Sequence, residues 1–164
     1  MDRIESLECE HHQLTAMAEE LGGICAAFGP PEPLWFLQFR RKFARLLTSH
    51  LKHEDWVVYP SLLASIRPEV RAAASRFFAE SMALSTAFRD YSHAWTTDRI
   101  DRDWAGFRIA TRQILAGLLH RIHVEENELY PLLAQGIRAA SLPHAPEPGM
   151  APAPGPPSLR MATC

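Results

Sequence analysis

The chain has 164 residues, 47% of them hydrophobic, and a formal net charge of −2. This near-neutral balance gives no electrostatic reason to expect a nucleic-acid partner, and no basic run predicts binding to a membrane surface. The N-terminus is charged and no apolar segment is long enough to cross a membrane, so we expect no signal peptide and no membrane span. Its cysteines, Cys9, Cys25 and Cys164, form no disulfide framework, so we expect a cytoplasmic protein in a reducing compartment.

Apolar residues recur at helical spacing in four segments, and no strand pattern competes with them. The first predicted helix runs from about 3 to 28 and the second from about 34 to 65. Pro68 fits the first turn of the third, and Asp98 or Asp101 is expected to cap the fourth. Prolines near the ends of the second and fourth helices predict a kink or early termination there. Short connections predict an all-α, up-down-up-down antiparallel four-helix bundle over residues 1–140.

The last part of the sequence, residues 141–164, has a different composition. Seven of the thirteen prolines fall between Pro143 and Pro157, among alanines and glycines. Such a composition predicts a disordered tail without a part in the core.

One stretch of the sequence occurs twice, about seventy residues apart. The first copy runs from His50 to Pro60 and the second from Arg121 to Pro131. When the copies are aligned on Tyr-Pro, Glu54 corresponds to Glu125, and Arg121 takes the place of His50. With Glu10-His11-His12 and with His120, which directly precedes the second copy, six of the eight histidines lie in three clusters beside acids. This pattern is typical of a metal site inside a helical bundle.

A helical wheel tests which of these polar side chains share the apolar stripe of their own helix. It places an inward set at one level of the bundle: His11, His50, Glu54 and Glu125, with Arg121 beside them and Ser81 and Ser85 opposite. His53 falls at the edge of its stripe, whereas His120 and His123 point away from theirs. All of the histidines and glutamates named here are candidate metal ligands, those outside the stripe being the weaker ones.

A buried carboxylate must be paired, protonated or bound to a cation. Two imidazoles and two carboxylates suit iron, manganese or zinc, and their spacing does not choose among these metals. The other interpretation is a metal-free network in which His50 and Glu54 form a hydrogen-bonded pair and Arg121 completes an ion triad. A guanidinium cannot bind a cation, so arginine charge would then replace metal charge partly or wholly.

At these residues the chain resembles the hemerythrin-like, or HHE cation-binding, family over roughly residues 3 to 138. His11 is similar to the family's histidine on the first helix, and His50-x3-Glu54 matches the motif of the second. The Tyr-Pro segments look like its recurring Phe/Tyr-Pro-x-Leu segment. On the third helix the sequence has Ser81-x3-Ser85 where the family has two histidines. On the fourth, His120-x4-Glu125 has the family spacing, while the repeat puts Arg121 in the ligand position.

The resemblance implies a four-helix bundle with a non-haem iron centre that binds O2, NO or peroxide. We therefore expect first an iron centre with one or two ions. Its ligand set is expected to be incomplete relative to the family. The alternative is a metal-free bundle whose buried His/Glu/Arg network belongs to a partner-binding or regulatory module. No acid/base or nucleophile arrangement identifies a substrate, so the sequence favours a binding protein over an enzyme.

Overall fold

A computed structural model describes residues 3–141, and all regular secondary structure in that range is helical. The elements, in chain order, are α1 (Arg3–Ile24), α2 (Pro33–Leu63), α3 (Pro68–Ala94), α4 (Thr97–Arg102), α5 (Trp104–Val124), a π-helical turn (Glu125–Leu129) and α6 (Tyr130–Ser141). Residues 142–164, which include nearly all of the predicted tail, lie outside the described part. No helix within 3–141 combines the length and the apolarity that crossing a lipid bilayer requires.

Capping residues define where the helices begin. Glu32 accepts hydrogen bonds from the backbone N–H groups of Leu34 and Trp35, and Pro33 occupies the first turn of α2. Pro68 begins α3 as predicted.

The predicted cap of the fourth long helix was wrong. Thr96 caps the short α4 instead, and Asp103 caps α5 by accepting from the N–H of Gly106 at 2.8 Å. The reason is that residues 97–102 form a helix of their own, so Asp98 and Asp101 both lie inside that helix and neither is the residue that precedes α5.

The long helices pack side by side. α1 and α3 each contact α2 and α5, and α2 also contacts α6. Phe43, early in α2, contacts the ring of Phe88, late in α3. Tyr59, late in α2, contacts the ring of Phe78 in the first half of α3. These two helices therefore run antiparallel. The same holds for α1 and α5, because Trp104 donates to the carbonyl of Ala27 near one end.

The buried apolar residues form two clusters. The larger one includes Leu14, Leu47 and Leu118, and the smaller one includes Leu7, Val58 and Leu129. Most of the buried polar residues lie where the two clusters meet: His11, His50, Glu54, Ser81, Arg121 and Glu125. The exception is Thr111, which lies within the larger cluster and donates to the carbonyl of Phe107. The fold thus holds a polar layer between two apolar layers.

The π-helical turn shapes the second copy of the repeat. It lies directly before Tyr130 and Pro131, and Pro131 has no N–H and crowds the carbonyl four residues earlier. A widened turn accommodates such a residue without ending the helix. It also turns Glu125, Leu129 and Tyr130 to the same buried side. In α2, by contrast, the helix continues through Pro60 and ends at Leu63.

Candidate metal centre

Four buried side chains converge in the polar layer: His11 from α1, His50 and Glu54 from α2, and Glu125 from the π-helical turn. One donor atom of each lies within 4.8 Å of the others. The Nε2 atoms of His11 and His50 are 3.1 Å apart, and His11 Nε2 is 3.1 Å from an oxygen of Glu125. The i, i+4 spacing of His50 and Glu54 puts them on one face of α2, with His50 Nε2 3.9 Å from Glu54 Oε2.

Two further carboxylates hold the imidazoles in place from outside. His11 Nδ1 lies 2.9 Å from Glu126 Oε1, and His50 Nδ1 lies 2.9 Å from Glu10 Oε2. An imidazole that donates its Nδ1–H to a carboxylate keeps its lone pair on Nε2. When both imidazoles are neutral, the two lone pairs are therefore directed to the same point between the histidines. Carboxylate–histidine pairs of this kind are the usual support of metal ligands in proteins.

Glu54 contributes the oxygen that fits a cation best. Its Oε1 accepts a hydrogen bond from the Tyr130 hydroxyl at 3.1 Å, whereas its Oε2 is buried without a hydrogen-bond partner. A buried acceptor without a partner is unfavourable unless a cation or a proton supplies one. An ion with bonds of about 2.1 Å holds its ligand atoms roughly 3 to 4 Å apart, which agrees with the spacing of these donors. The four residues thus fit a single cation.

A guanidinium lies next to this cluster on the α3 side. Arg121 donates from Nε to Glu125 and from Nη2 to the hydroxyl of Tyr59. Its Nη1 is 3.5 Å from Glu80 Oε2, and its Cζ lies 5.6 Å from the centre of the Phe77 ring. Arg121 is only 5% exposed, so its charge is neutralised mainly by Glu125 and not by water.

A family comparison agrees with this geometry. The family model for the hemerythrin HHE cation binding domain matches residues 2–133. The chain belongs to the hemerythrin family. No curated protein and no solved structure matches it. The four converging donors of this hemerythrin-family chain all lie within the matched residues.

The two carboxylates of the cluster differ in their acidity. Burial and the neighbouring charge of Glu125 raise the pKa of Glu54. Burial acts in the same direction on Glu125, but its contacts with the imidazoles of His11 and His50 and the charge of Arg121 outweigh it and lower the pKa of Glu125. The pKa of His50 is raised, because the nearby carboxylates outweigh its burial. One of the two acids is thus ionised by its protein partners, and the other lacks a full positive partner.

The remaining predicted ligands lie away from the cluster. His53 is partly exposed and its Nδ1 is 2.9 Å from Glu10 Oε1. His120 and His123 are exposed, as the helical wheel indicated, and Asn127 donates to the backbone carbonyl of His123. On α3, Ser81 is buried and Ser85 is half-buried. The predicted role of each histidine as a metal ligand stays a prediction.

Sequence reasoning missed the residues that support the donors. The sequence identifies Glu10 only as a neighbour of His11, and no pattern in it distinguishes Glu126 from the other acids. The two tyrosines served to align the copies, yet both hydroxyls bond to the polar layer, Tyr130 to Glu54 and Tyr59 to Arg121. The signal for the tyrosines was present, because a Tyr-Pro pair at the same distance after each glutamate predicts that both phenols reach the same level.

Proposed function

We propose that this hemerythrin-family chain binds one non-haem iron ion through His11, His50, Glu54 and Glu125. One observation carries the proposal: two imidazole lone pairs and an unpartnered carboxylate oxygen converge in a buried layer. Manganese and zinc accept the same nitrogen and oxygen donors, and iron is favoured because the family centre is an iron centre.

The proposed ligand set is incomplete relative to the family. The position of His50 in the second copy of the repeat belongs to Arg121, and α3 contributes Ser81 at this level instead of an imidazole. Arg121 already binds Glu125. Its fixed positive charge takes the place that a second ion would need, so the proposed centre is mononuclear.

We also propose that α1, α2, α3 and the continuous segment from α5 to α6 form the up-down-up-down antiparallel four-helix bundle. The antiparallel contacts of α2 with α3 and of α1 with α5 support this arrangement. It places donors from three helices around one point. The buried leucines above and below the layer, such as Leu14 and Leu129, keep bulk water away from it.

Four protein ligands leave coordination positions open on an iron ion, and that ion would supply the binding of O2, NO or peroxide. Around it, Glu10 and Glu126 orient the two imidazoles, and the hydroxyl of Tyr130, 3.1 Å from His11 Nε2, offers a polar contact inside the layer. We therefore infer that the protein binds or senses one of these small molecules. The few, widely spaced cysteines are the reason to propose the cytoplasm as its location.

Metal stoichiometry tests the proposal. Protein stripped with a chelator is titrated with Fe(II) without oxygen, and bound iron is measured by elemental analysis and visible absorption. We expect about one iron per chain, because the four donors fit one ion. Glu54→Gln preserves the side-chain shape but removes a ligand charge, so this variant should lose most of its iron. Glu128→Gln is the matched control, since Glu128 is exposed and pairs with Arg76.

A metal-free network is the second candidate function, and the Arg121–Glu125 pair favours it. In that case the buried layer would serve the stability of a partner-binding or regulatory module. The same titration separates the two candidates. Colourless wild-type protein that takes up no iron, and whose unfolding is unchanged by a chelator, would refute the iron site and leave the network as the function of the layer.

A further inference from the structure

A cavity of about 390 Å³ lies between the first half of α2 and the end of α3, away from the polar layer. Its apolar wall includes Leu21, Phe43, Phe88 and Trp95. Protein cavities that bind small molecules commonly begin at roughly 300 Å³ and are walled by aromatic and aliphatic side chains with a few polar groups. The size and the lining thus suit a small organic molecule.

The charged residues of this cavity have one sign. Arg40 and Arg41 line it, and neither an aspartate nor a glutamate is among its lining residues. The remaining polar lining consists of hydroxyl side chains such as those of Tyr91 and Ser92. A low-dielectric wall with only positive charge favours an anion over a neutral or cationic molecule.

Arg40 is a partly buried cation without an acidic partner. Its Nη2 donates to the carbonyl of Trp95 at 2.6 Å, and its Cζ lies 5.4 Å from the centre of the Phe107 ring. Within residues 3–141, Arg40 forms no ion pair with a carboxylate, and Tyr91 is the group whose charge and hydrogen bond act on its pKa. Burial lowers the pKa of Arg40, as expected for a charge that is only partly compensated.

The buried Arg121 differs from Arg40 in having acidic partners that balance its charge. Arg121 has Glu125 beside it and Glu80 within 3.5 Å. Arg40 has only a carbonyl, aromatic faces and the neighbouring phenol of Tyr91. The difference leaves a guanidinium fork available at the cavity, and carboxylates bind such a fork through two parallel hydrogen bonds.

We propose that this cavity binds a small amphiphilic monocarboxylate, with its carboxylate on Arg40 and its aryl or acyl body against Phe43, Phe88 and Trp95. A monoanion matches the single partly buried guanidinium, since Arg41 is exposed. The site is independent of the proposed iron centre. Phe43 is seven residues before His50, or about 10 Å along α2, and the fully buried Leu47 lies between them.

The test compares an acid with its alcohol on the wild-type protein, in the presence of a chelator, by isothermal titration calorimetry. The probes are 4-phenylbutyrate and 4-phenyl-1-butanol, which share the apolar body. We expect the carboxylate to bind at least about 10-fold more tightly, because a hydrogen bond to a charged group is considerably stronger than a neutral one. Equal affinity for the two probes, or no binding of either, would overturn the proposal.

A pair of variants locates the charge that is responsible. Arg40→Gln should reduce the affinity for 4-phenylbutyrate to that for the alcohol. Arg45→Gln, an exposed change on the same helix outside the cavity lining, should leave the affinity unchanged. A preference for the carboxylate that survives in Arg40→Gln would also contradict the proposal. If Arg40→Gln does not fold, the comparison of acid and alcohol on the wild type decides the question alone.

Discussion

The two copies of the repeat build the two sides of one polar layer, and they differ most at their first residue. In α2 the copy provides His50, Glu54 and Tyr59. In the segment from α5 to α6 it provides Arg121, Glu125 and Tyr130. His50 directs a lone pair to the point where the donors converge, whereas Arg121 binds its own glutamate as a fixed cation. A single change of residue type therefore separates the proposed metal donor His50 from the fixed positive charge of Arg121.

This difference extends to the glutamates and the tyrosines. Burial and the charge of Glu125 raise the pKa of Glu54, whereas the contacts with His11 and His50 and the charge of Arg121 lower the pKa of Glu125. Each tyrosine bonds to the other copy: Tyr130 donates to Glu54, and Tyr59 accepts from Arg121. The two copies thus depend on each other. Glu125 of the second copy is held ionised by its protein partners, whereas Glu54 of the first requires a proton or an added cation.

We expect the largest loss of stability when the guanidinium of Arg121, which distinguishes the second copy from the first, is removed. Arg121→Met leaves Glu125 buried without its charge partner, and breaking a buried pair in this way typically costs about 3–5 kcal/mol. We expect a loss of that size in the free energy of unfolding, measured with urea in the presence of a chelator. Saturating Fe(II) should recover part of the loss, because a bound cation supplies the missing charge.

The matched control for this variant is Arg76→Met. Arg76 pairs with Glu128 at 3.1 Å, but both side chains are more than half exposed, and such pairs contribute at most about 1 kcal/mol. If Arg121→Met were as stable as Arg76→Met, the guanidinium would not balance the charge of the second copy.

The sequence predicted the helical class and the level of the polar layer. The helical wheel placed His11, His50, Glu54 and Glu125 inward, and all of them are buried. The helical wheel identified these residues because charged side chains are rare inside an apolar stripe. The repeat also identified Glu125, because it aligns with Glu54. Family membership, predicted from His50-x3-Glu54 and the Tyr-Pro segments, is confirmed.

Other features depend on contacts that spacing within one helix does not reveal. The π-helical turn follows from how one helix accommodates Pro131, while α2 passes Pro60 without one. The short α4 depends on the competition between Thr96 and two aspartates for the cap. The outer carboxylate Glu126 is 40% exposed, so its role becomes visible only when α1 packs beside the π-helical turn.

The outer carboxylates offer a finer test, because they differ in exposure. Glu10 is 23% exposed and contacts both His50 and His53, whereas Glu126 is more exposed and, within residues 3–141, bonds only to His11. Loss of such a support typically weakens metal affinity by about 10- to 100-fold. We expect Glu10→Gln near the upper end and Glu126→Gln near the lower, as measured by competition with a coloured chelator. The exposed Glu8 gives the control, Glu8→Gln, and an equal affinity for all three variants would contradict the supporting role.

The smallest expected effects come from the tyrosines, which test the dependence of one copy on the other. Tyr59→Phe leaves Arg121 without one acceptor and Tyr130→Phe leaves Glu54 without its donor, so each should lower the free energy of unfolding by about 1 kcal/mol without metal. Added Fe(II) separates them. The partners of Tyr59 do not bind the proposed ion, so its loss should persist when the site is saturated. Tyr130 bonds to a ligand, and the ion supplies a new partner to Glu54, so the loss for Tyr130→Phe should shrink. Urea unfolding of both variants, with chelator and with Fe(II), measures this difference. If Fe(II) changed the stability of the two variants equally, the metal would not distinguish the phenol that bonds to Glu54 from the phenol that bonds to Arg121.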